Sequence, residues 1–242
     1  MPHLEILDKY KMKNTKIFIL AGGFGTRLQS VVSDVPKPMA PIIDKPFLDY
    51  QIFQVREYFP DAVIYLLTYY KSEIIENYYK NDKSIKIIKE NQPLGTGGSI
   101  KNGIKTLELQ EDSSLLVLNG DTYIKPNLTN MIKTKKYDIT ILSSFQKECD
   151  RYGTLKLQDG IIIGFNEKVD NCKNSYINAG CYFFNSLKFF IDIVDDSFAI
   201  EYEFKNYLEN KKISAYKYDD IFIDIGIPSD YKKMINYVSK NG

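Results

Sequence analysis

Hydrophobic residues along this chain fall in short runs separated by polar turns, and the pattern of the runs changes half-way. Lys16–Ala21 is an apolar run that stops at Gly22-Gly23, the signature of a buried strand meeting a glycine turn. Pro46–Tyr58 carries Phe47, Tyr50, Phe53 and Val55 at helical spacing, and Ala62–Thr68 reads as a strand. Ser72–Tyr79 predicts a helix and Ile85–Lys89 a strand. Gly98–Leu107 predicts a helix opening after a glycine pair, and Ser114–Leu118 a buried strand ending at Asn119-Gly120-Asp121. Alternating strand and helix predict an α/β fold with a Rossmann-like, mostly parallel sheet and helices on both faces. Right-handed crossovers then collect the strand ends, and any ligand, at one edge.

The second half is richer in strands. Ile139–Phe145, Gly153–Gln158, Ile161–Asn166 and Tyr176–Phe184 read as extended, with Asp159-Gly160 as a hairpin turn. Leu187–Val194 and Glu201–Glu209 predict helices, Ile213–Tyr218 a strand, and Ser229–Val238 a final helix with Pro228 near its start. No repeat or Gly/Ser/Pro-rich linker divides the chain. The expected organisation is a flexible polar leader over residues 1–14 and one domain over 15–242. Its halves divide at about residues 125 and 126, and the second supplies a β-rich lid on a mixed central sheet.

Composition narrows the chemistry. With 242 residues, 44% hydrophobic and 26% charged, the chain has an ordinary globular make-up. Apolar runs such as Ser114–Leu118 and Ile221–Ile225 fall far short of the ~20 residues of a membrane helix. The first residues lack a basic stretch followed by an apolar one, so the expected location is the cytoplasm. Thirty-two basic against 31 acidic residues is too even a balance for gripping nucleic acid. Cys149, Cys172 and Cys181 are odd in number and lack C-x-x-C spacing, so they read as free thiols, with no zinc and no disulfide. His3 is the only histidine and lies in a terminus expected to fray, which excludes mechanisms built on a histidine base.

Candidate chemistry gathers in three places. Leu20-Ala21-Gly22-Gly23-Phe24-Gly25-Thr26-Arg27-Leu28 follows a strand and precedes an expected helix. Glycines there allow close backbone approach to a phosphate. Thr26-Arg27-Leu28 replaces the Gly-Lys-Ser/Thr of a P-loop, and Leu28 replaces the last glycine of a dinucleotide fingerprint. Pro36-Lys37-Pro38-Met39 follows, with prolines stiffening the chain around a cation. Asp121 and Asp224 each end an apolar run, while Asp219, Asp220 and Asp230 read as solvated carboxylates or helix caps.

Gly-Gly-x-Gly-Thr-Arg-Leu followed by Pro-Lys-Pro resembles the sugar-phosphate nucleotidyltransferases, and the resemblance runs from about residue 16 to about 238. The stretch from Arg27-Leu28 through Val31-Val32-Ser33-Asp34-Val35-Pro36-Lys37-Pro38-Met39-Ala40-Pro41 is most similar to a guanylyl-transferring branch acting on a heptose 1-phosphate. The resemblance implies a nucleotide-binding first half and a sugar-phosphate-binding second half. It assigns Leu20, Ala21, Gly22, Gly23, Gly25, Thr26, Arg27, Gln92, Gly95, Thr96 and Gly97 to the nucleotide. The sugar phosphate falls to Gly120, Gly153, Glu167, Lys168, Asn178 and Gly180. Asp121 and Asp224 are implied Mg²⁺ ligands, and Arg27, Lys37 and Asp121 the catalytic groups.

The implied reaction joins GTP and a sugar 1-phosphate into GDP-heptose and pyrophosphate, for capsule, S-layer or other surface polysaccharide. It needs no nucleic acid and no membrane, and is compatible with a homodimer. A mannose or other hexose 1-phosphate is the rival acceptor, and a catalytically silent sensor of the same fold the rival class. Three positions depart from the family pattern: Gln29 where a basic residue is expected, Gly97 for alanine, and bulky Phe24 in the glycine loop.

Overall fold

Strand β1 (Lys16–Leu20) is followed by two short strands, β2 (Pro41–Ile42) and β3 (Lys45–Pro46), and then by helix α1 (Phe47–Tyr58). The alternation continues through β4 (Ile64–Thr68), α2 (Ser72–Tyr79), β5 (Ile85–Lys89), α3 (Gly95–Thr106), β6 (Leu115–Asn119) and β7 (Thr122–Ile124). Helix α4 (Leu128–Lys133) leads to β8 (Ile139–Glu148), β9 (Thr154–Gln158), β10 (Ile161–Asn166) and β11 (Lys173–Phe184). Helices α5 (Lys188–Ile191) and α6 (Ile200–Leu208), strands β12 (Ile213–Tyr218) and β13 (Phe222–Asp224), and helix α7 (Pro228–Asn241) complete the chain. This computed structural model describes residues 14–133 and 136–241. His3 and residues 1–13 of the expected leader lie outside the described residues.

Nine strands form one mixed sheet in the order β5-β4-β1-β6-β11-β8-β12-β10-β9. The first four are parallel, and β11 enters antiparallel to β6. Side chains alternate between faces, as a pleated strand requires. In β1, Ile17 and Ile19 join the cluster under α1, α2 and α4, while Phe18 joins the cluster under α3, α5 and α6. A third cluster, containing Leu28, Ile42, Phe47, Ile223 and Met234, sits between the glycine-loop region and α7. In the second half β9 pairs with both β10 and β11, so the ladders β11-β8-β12-β10-β9 close on themselves. The strand-rich half is therefore continuous with the same sheet.

Strand order reverses at β1: β4 and β5 lie to one side and β6 to the other. Leu20 pairs with Asn119 at the carboxyl ends of β1 and β6. The glycine loop and Asp121, nearly a hundred positions apart in the chain, thus leave the sheet side by side, where open α/β sheets bind ligands.

Several expectations change. The glycine loop leads only into a 3-10 turn, Thr26–Leu28, opened by Gly25 at φ 61°. The helix expected over Leu187–Val194 contracts to Lys188–Ile191. Lys101 accounts for the loss: its Nζ donates to the carbonyls of Ile193, Val194 and Asp195, holding them in an open loop.

The free-thiol reading fails for two of the cysteines. Cys149 and Cys172 form a disulfide, with Cα atoms 5.0 Å apart, and only Cys181 is free and buried. The β8–β11 ladder ends at Glu148 and Lys173, and the Cys149 N–H donates to the Cys172 carbonyl just beyond it. Sheet register, which local spacing does not encode, brings the two sulfurs together.

Helix α3 packs its glycine face against residues 194–199. A Cβ on Gly95 would come within 2.6 Å of the Phe198 carbonyl oxygen, and one on Gly97 would overlap the Phe198 ring. Gly98 faces the Asp196 carbonyl equally closely. Gly98→Ala should therefore cost about 1–3 kcal/mol and lower the melting temperature by several degrees. Gly164→Ala, whose new methyl finds only ordinary contacts at 3.6 Å, is the matched control that should unfold as the wild type does.

Candidate active site

A cleft of about 270 Å³ opens beyond the ends of β1 and β6, with walls that include Gly22, Lys37, Glu90, Gly95 and Asp121. A larger cavity of about 960 Å³ lies elsewhere, between α1, α2 and α7. In it Arg56 pairs with Asp82, and Asp49 accepts from Tyr78 and Tyr79. The smaller cleft holds several of the sequence-predicted groups, among them Gly22, Gly23, Lys37, Thr96, Gly120 and Asp121.

Close approach explains the glycines. A Cβ on Gly25, which is already in the left-handed region, would lie 2.9 Å from Lys37 Cβ, so the loop packs directly on the lysine. A Cβ on Gly120 would overlap the Leu20 carbonyl, while Gly23 has open space around it. Gln29, the departure from the family pattern, donates to the Phe24 carbonyl at 3.2 Å and so ties the loop to its own turn. Phe24 stands at the cleft wall with its ring 5.7 Å from Tyr69 and 5.5 Å from Tyr70.

The charged groups converge. Lys37 Nζ is ion-paired with Asp121, and both side chains are largely shielded, 13% and 28% exposed. Asp224 pairs in register with Thr122, and the Ile225 N–H donates to the Asp121 carbonyl at 2.9 Å, which brings the two aspartates together. Burial pushes the Asp224 carboxyl above the ordinary range, and the Asp121 charge pushes it further; Lys37 and Arg151 oppose the rise. Arg27 reaches the same spot, since a Cβ on Gly226 would lie 2.8 Å from Asp224 Oδ1 and 3.4 Å from Arg27 Nη2. Asp224 lines a second cleft of about 730 Å³ with Arg151, Tyr152 and Asp230, so the two clefts meet at the aspartates.

Gln51 was missed in the sequence, yet it props this arrangement. It is buried on α1 and donates from Nε2 to the carbonyls of Asn119 at 2.6 Å and Thr122 at 2.8 Å, the residues bracketing Asp121. A glutamine on the apolar face of a helix is the signal that could have found it. Glu90 was missed as well. It is 5% exposed at the end of β5, lines the cleft, accepts from Ser99 Oγ and the Leu94 N–H, and is raised by burial.

Of the other residues to which the resemblance gives roles, Leu20, Thr96 and Gly120 line the cleft. Gln92 is exposed and is not among the residues lining the cleft. The Ala21 N–H donates to the Leu67 carbonyl and so is taken, while the Leu20 carbonyl accepts from the Gly120 N–H. The amides of Gly97 and Gly98 donate to the Phe198 carbonyl, and Thr96 Oγ1 accepts from the Ile200 N–H while donating to Glu201. The start of α3 is thus capped by protein. Glu167 is exposed and pairs with Lys205, and Lys168 is exposed. Asn178 donates to Tyr182 Oη at 3.0 Å and accepts from the Gly180 N–H. Gly180, at φ 67°, packs on the Asn119 side chain, and Gly153 lies close to the Asn166 carbonyl. Asp230 is no solvated carboxylate: it pairs with Arg151.

Two oxygen-only donors side by side suit a hard cation completed by substrate phosphates and water. Among the described residues no group of three or more His, Cys, Asp or Glu could hold a metal by itself. Holding Asp224 ionised beside Asp121 costs stability. The carboxyl is raised in the folded state, so its favourable contribution is present in acid and lost as pH rises through the raised value. Asp224→Asn keeps the acceptor for the Gly226 N–H and removes the charge. It should stabilise the protein by roughly 0.5–2 kcal/mol at pH 7, with the gain fading below the ordinary carboxylate range. Thermal unfolding at pH 7 and pH 4 measures both.

Comparison with known proteins agrees with this geometry. The nucleotidyl transferase family model matches residues 16–241. The D-glycero-α-D-manno-heptose 1-phosphate guanylyltransferase of Aneurinibacillus thermoaerophilus is 41% identical over 223 residues, 89% of this chain and 94% of that protein. The protein of that name from Campylobacter jejuni is 38% identical over 217 residues, 88% and 95% of the two chains. HddC from Yersinia pseudotuberculosis, solved in complex with GMP-PN, superposes with a TM-score of 0.79 at 35% identity, covering 93% of this chain and 99% of that one. With its family signature spanning nearly the whole sequence and its charged groups gathered at the strand ends, the chain belongs to the nucleotidyl transferase family.

Proposed function

We propose that this protein transfers GMP from GTP to D-glycero-α-D-manno-heptose 1-phosphate, forming GDP-heptose and pyrophosphate. The observation that carries the reading is the convergence of Lys37, Asp121, Asp224 and Arg27 beside the glycine loop. Relatives of that activity, 38–41% identical, support the acceptor. The product fits surface-polysaccharide synthesis. The work of such an enzyme belongs in the cytoplasm, where both substrates are made, and no helix of the described residues is long and apolar enough to cross a membrane.

An oxygen of the sugar phosphate attacks the α-phosphorus in line, the bond to the β-phosphate oxygen breaks, and pyrophosphate leaves. The attacking oxygen is already anionic near neutral pH, so no general base is needed. Catalysis is then positioning and charge stabilisation. Lys37 neutralises Asp121 in the free protein and lies close enough to meet the reacting phosphates instead. Arg27, exposed on the glycine turn, steadies the triphosphate. Asp121 and Asp224 would hold Mg²⁺, which supplies neutralisation of the two phosphate chains. Glycine-loop backbone around Gly22 and Gly23 approaches the triphosphate, while Gly120 keeps the β6 end flush with β1.

Glu90 accounts for guanine. A carboxylate accepts only, and each oxygen keeps capacity beyond its bond to Ser99 or Leu94. The guanine N1–H and 2-amino group present two adjacent donors, a bidentate match. Adenine presents an acceptor at N1, which would face the carboxylate and be rejected.

Pyrophosphate release across four nucleoside triphosphates and several sugar 1-phosphates should peak with GTP and the heptose 1-phosphate. A peak with mannose 1-phosphate would move the acceptor, and silence across the grid would remove the enzyme reading. Asp121→Asn should cut turnover by about 10²–10³-fold. Glu90→Gln should raise the KM for GTP by ~10- to 100-fold and weaken discrimination against ATP. Near-normal turnover in the first variant, or unchanged base preference in the second, would overturn its assignment.

A further inference from the structure

The Cys149–Cys172 disulfide closes a chain segment that contains Arg151, Tyr152 and Gly153 at one end and Glu167 and Lys168 at the other, with the β9–β10 hairpin between. Gly153, Glu167 and Lys168 are among the residues that the family resemblance gives to the sugar phosphate. The glycine loop, Lys37, Glu90 and Asp121 all lie outside it.

Strands β9 and β10 of this segment are held in the sheet by β11 and β12, so the parts that lie outside the ladders are its two flanks, Arg151–Gly153 and Glu167–Asn171. Arg151 pairs with Asp230 at the start of α7, and the Tyr152 ring meets Phe222 edge-on at 5.4 Å, next to Asp224. Glu167 is held by the exposed Lys205. Asn171 and Asn174, either side of Cys172, sit at φ 61° and 53°, a left-handed conformation that asparagine tolerates. Only the disulfide joins the two ends of the segment covalently.

The two sulfurs differ in access. Cys149 is fully buried, while Cys172 is half-buried on an exposed turn. An incoming thiolate can therefore reach Cys172 first. The remaining cysteine, Cys181, is buried and its thiol is pushed up to about 12, so it does not take part in exchange. Disulfides in reducing compartments are characteristically transient, catalytic or redox-sensing.

We infer that the Cys149–Cys172 pair is a redox-operated latch on the acceptor side of the active site: oxidised, it holds the Arg151–Gly153 turn and the Glu167–Lys168 segment in place, and reduced, it releases them. The opening step uses a dithiol reductant. One thiolate attacks Cys172 Sγ, the S–S bond breaks, and Cys149 leaves as a thiolate that takes up a proton. The second thiol of the reductant then displaces Cys172. Two cysteine thiols form, and the reductant is oxidised to its disulfide. Ordering the freed residues on substrate then opposes acceptor binding, while the nucleotide cleft is untouched.

The inference rests on the proposed reaction for its kinetic readout and on chemistry alone for its first one. Protein purified without reductant is blocked with N-ethylmaleimide, reduced with dithiothreitol, and weighed after a second labelling. Two newly exposed thiols are expected, in Cys149 and Cys172. Reduction should also make the segment between them newly sensitive to limited proteolysis. With the sugar 1-phosphate that gives the highest turnover, reduction should raise the acceptor KM by ~3- to 10-fold and leave the GTP KM unchanged. Cys172→Ser should show the raised acceptor KM with or without dithiothreitol. If no sugar 1-phosphate is turned over, the functional reading fails while thiol count and proteolysis still decide the latch. No disulfide after exposure to oxidised glutathione, or the same acceptor KM and cleavage pattern in both redox states, overturns it.

Discussion

Two carboxylates cannot share a small, partly buried space unless positive charge stands with them, and this constraint organises the molecule. Lys37 pairs with Asp121, Arg27 approaches Asp224, and Arg151 adds its field from the opposite side. Apart from Arg27 and Lys37, none of these groups is near another in sequence. The sheet delivers them: β1 and β6 end together, and the antiparallel pair β7–β13 lays Asp224 against the residue following Asp121. Gln51 then fixes the connection between β6 and β7 from below.

The two halves of the chain supply different kinds of rigidity. The parallel half offers strand ends whose backbone is satisfied by neighbours, leaving the glycine loop as its open surface. The strand-rich half closes its ladders into a ring and brings the Arg151–Tyr152 turn into the cleft lined by Asp224. The pairing of β6 with β11 joins the two halves in one sheet. The aspartates are the seam between them.

Much of this was legible in the sequence. Ser72–Tyr79, Ile85–Lys89, Ile161–Asn166 and Ile213–Tyr218 form as read, because each has one clear period and a definite stop. The hairpin turn at Asp159-Gly160 forms with both residues at positive φ. The family reading holds across residues 16–241. What escaped depends on distant partners. Helix α3 begins three residues earlier than its pattern indicates, because the Phe198 carbonyl caps it from another part of the chain. The Cys149–Cys172 bond needs the β8–β11 register, and Gln51 and Glu90 gain meaning only from what they face once buried.

The ring of ladders also bears on how copies of this molecule meet. By pairing β9 back to β11, it removes one margin along which a further strand could add. The opposite margin is β5, and the residues it turns to solvent are Lys86 and Lys89. Cationic side chains there oppose strand-to-strand growth in crowded solution, so the sheet is protected at both ends by different means. Any stable assembly of two copies would be built from helices and loops, leaving the sheet a strictly private structure.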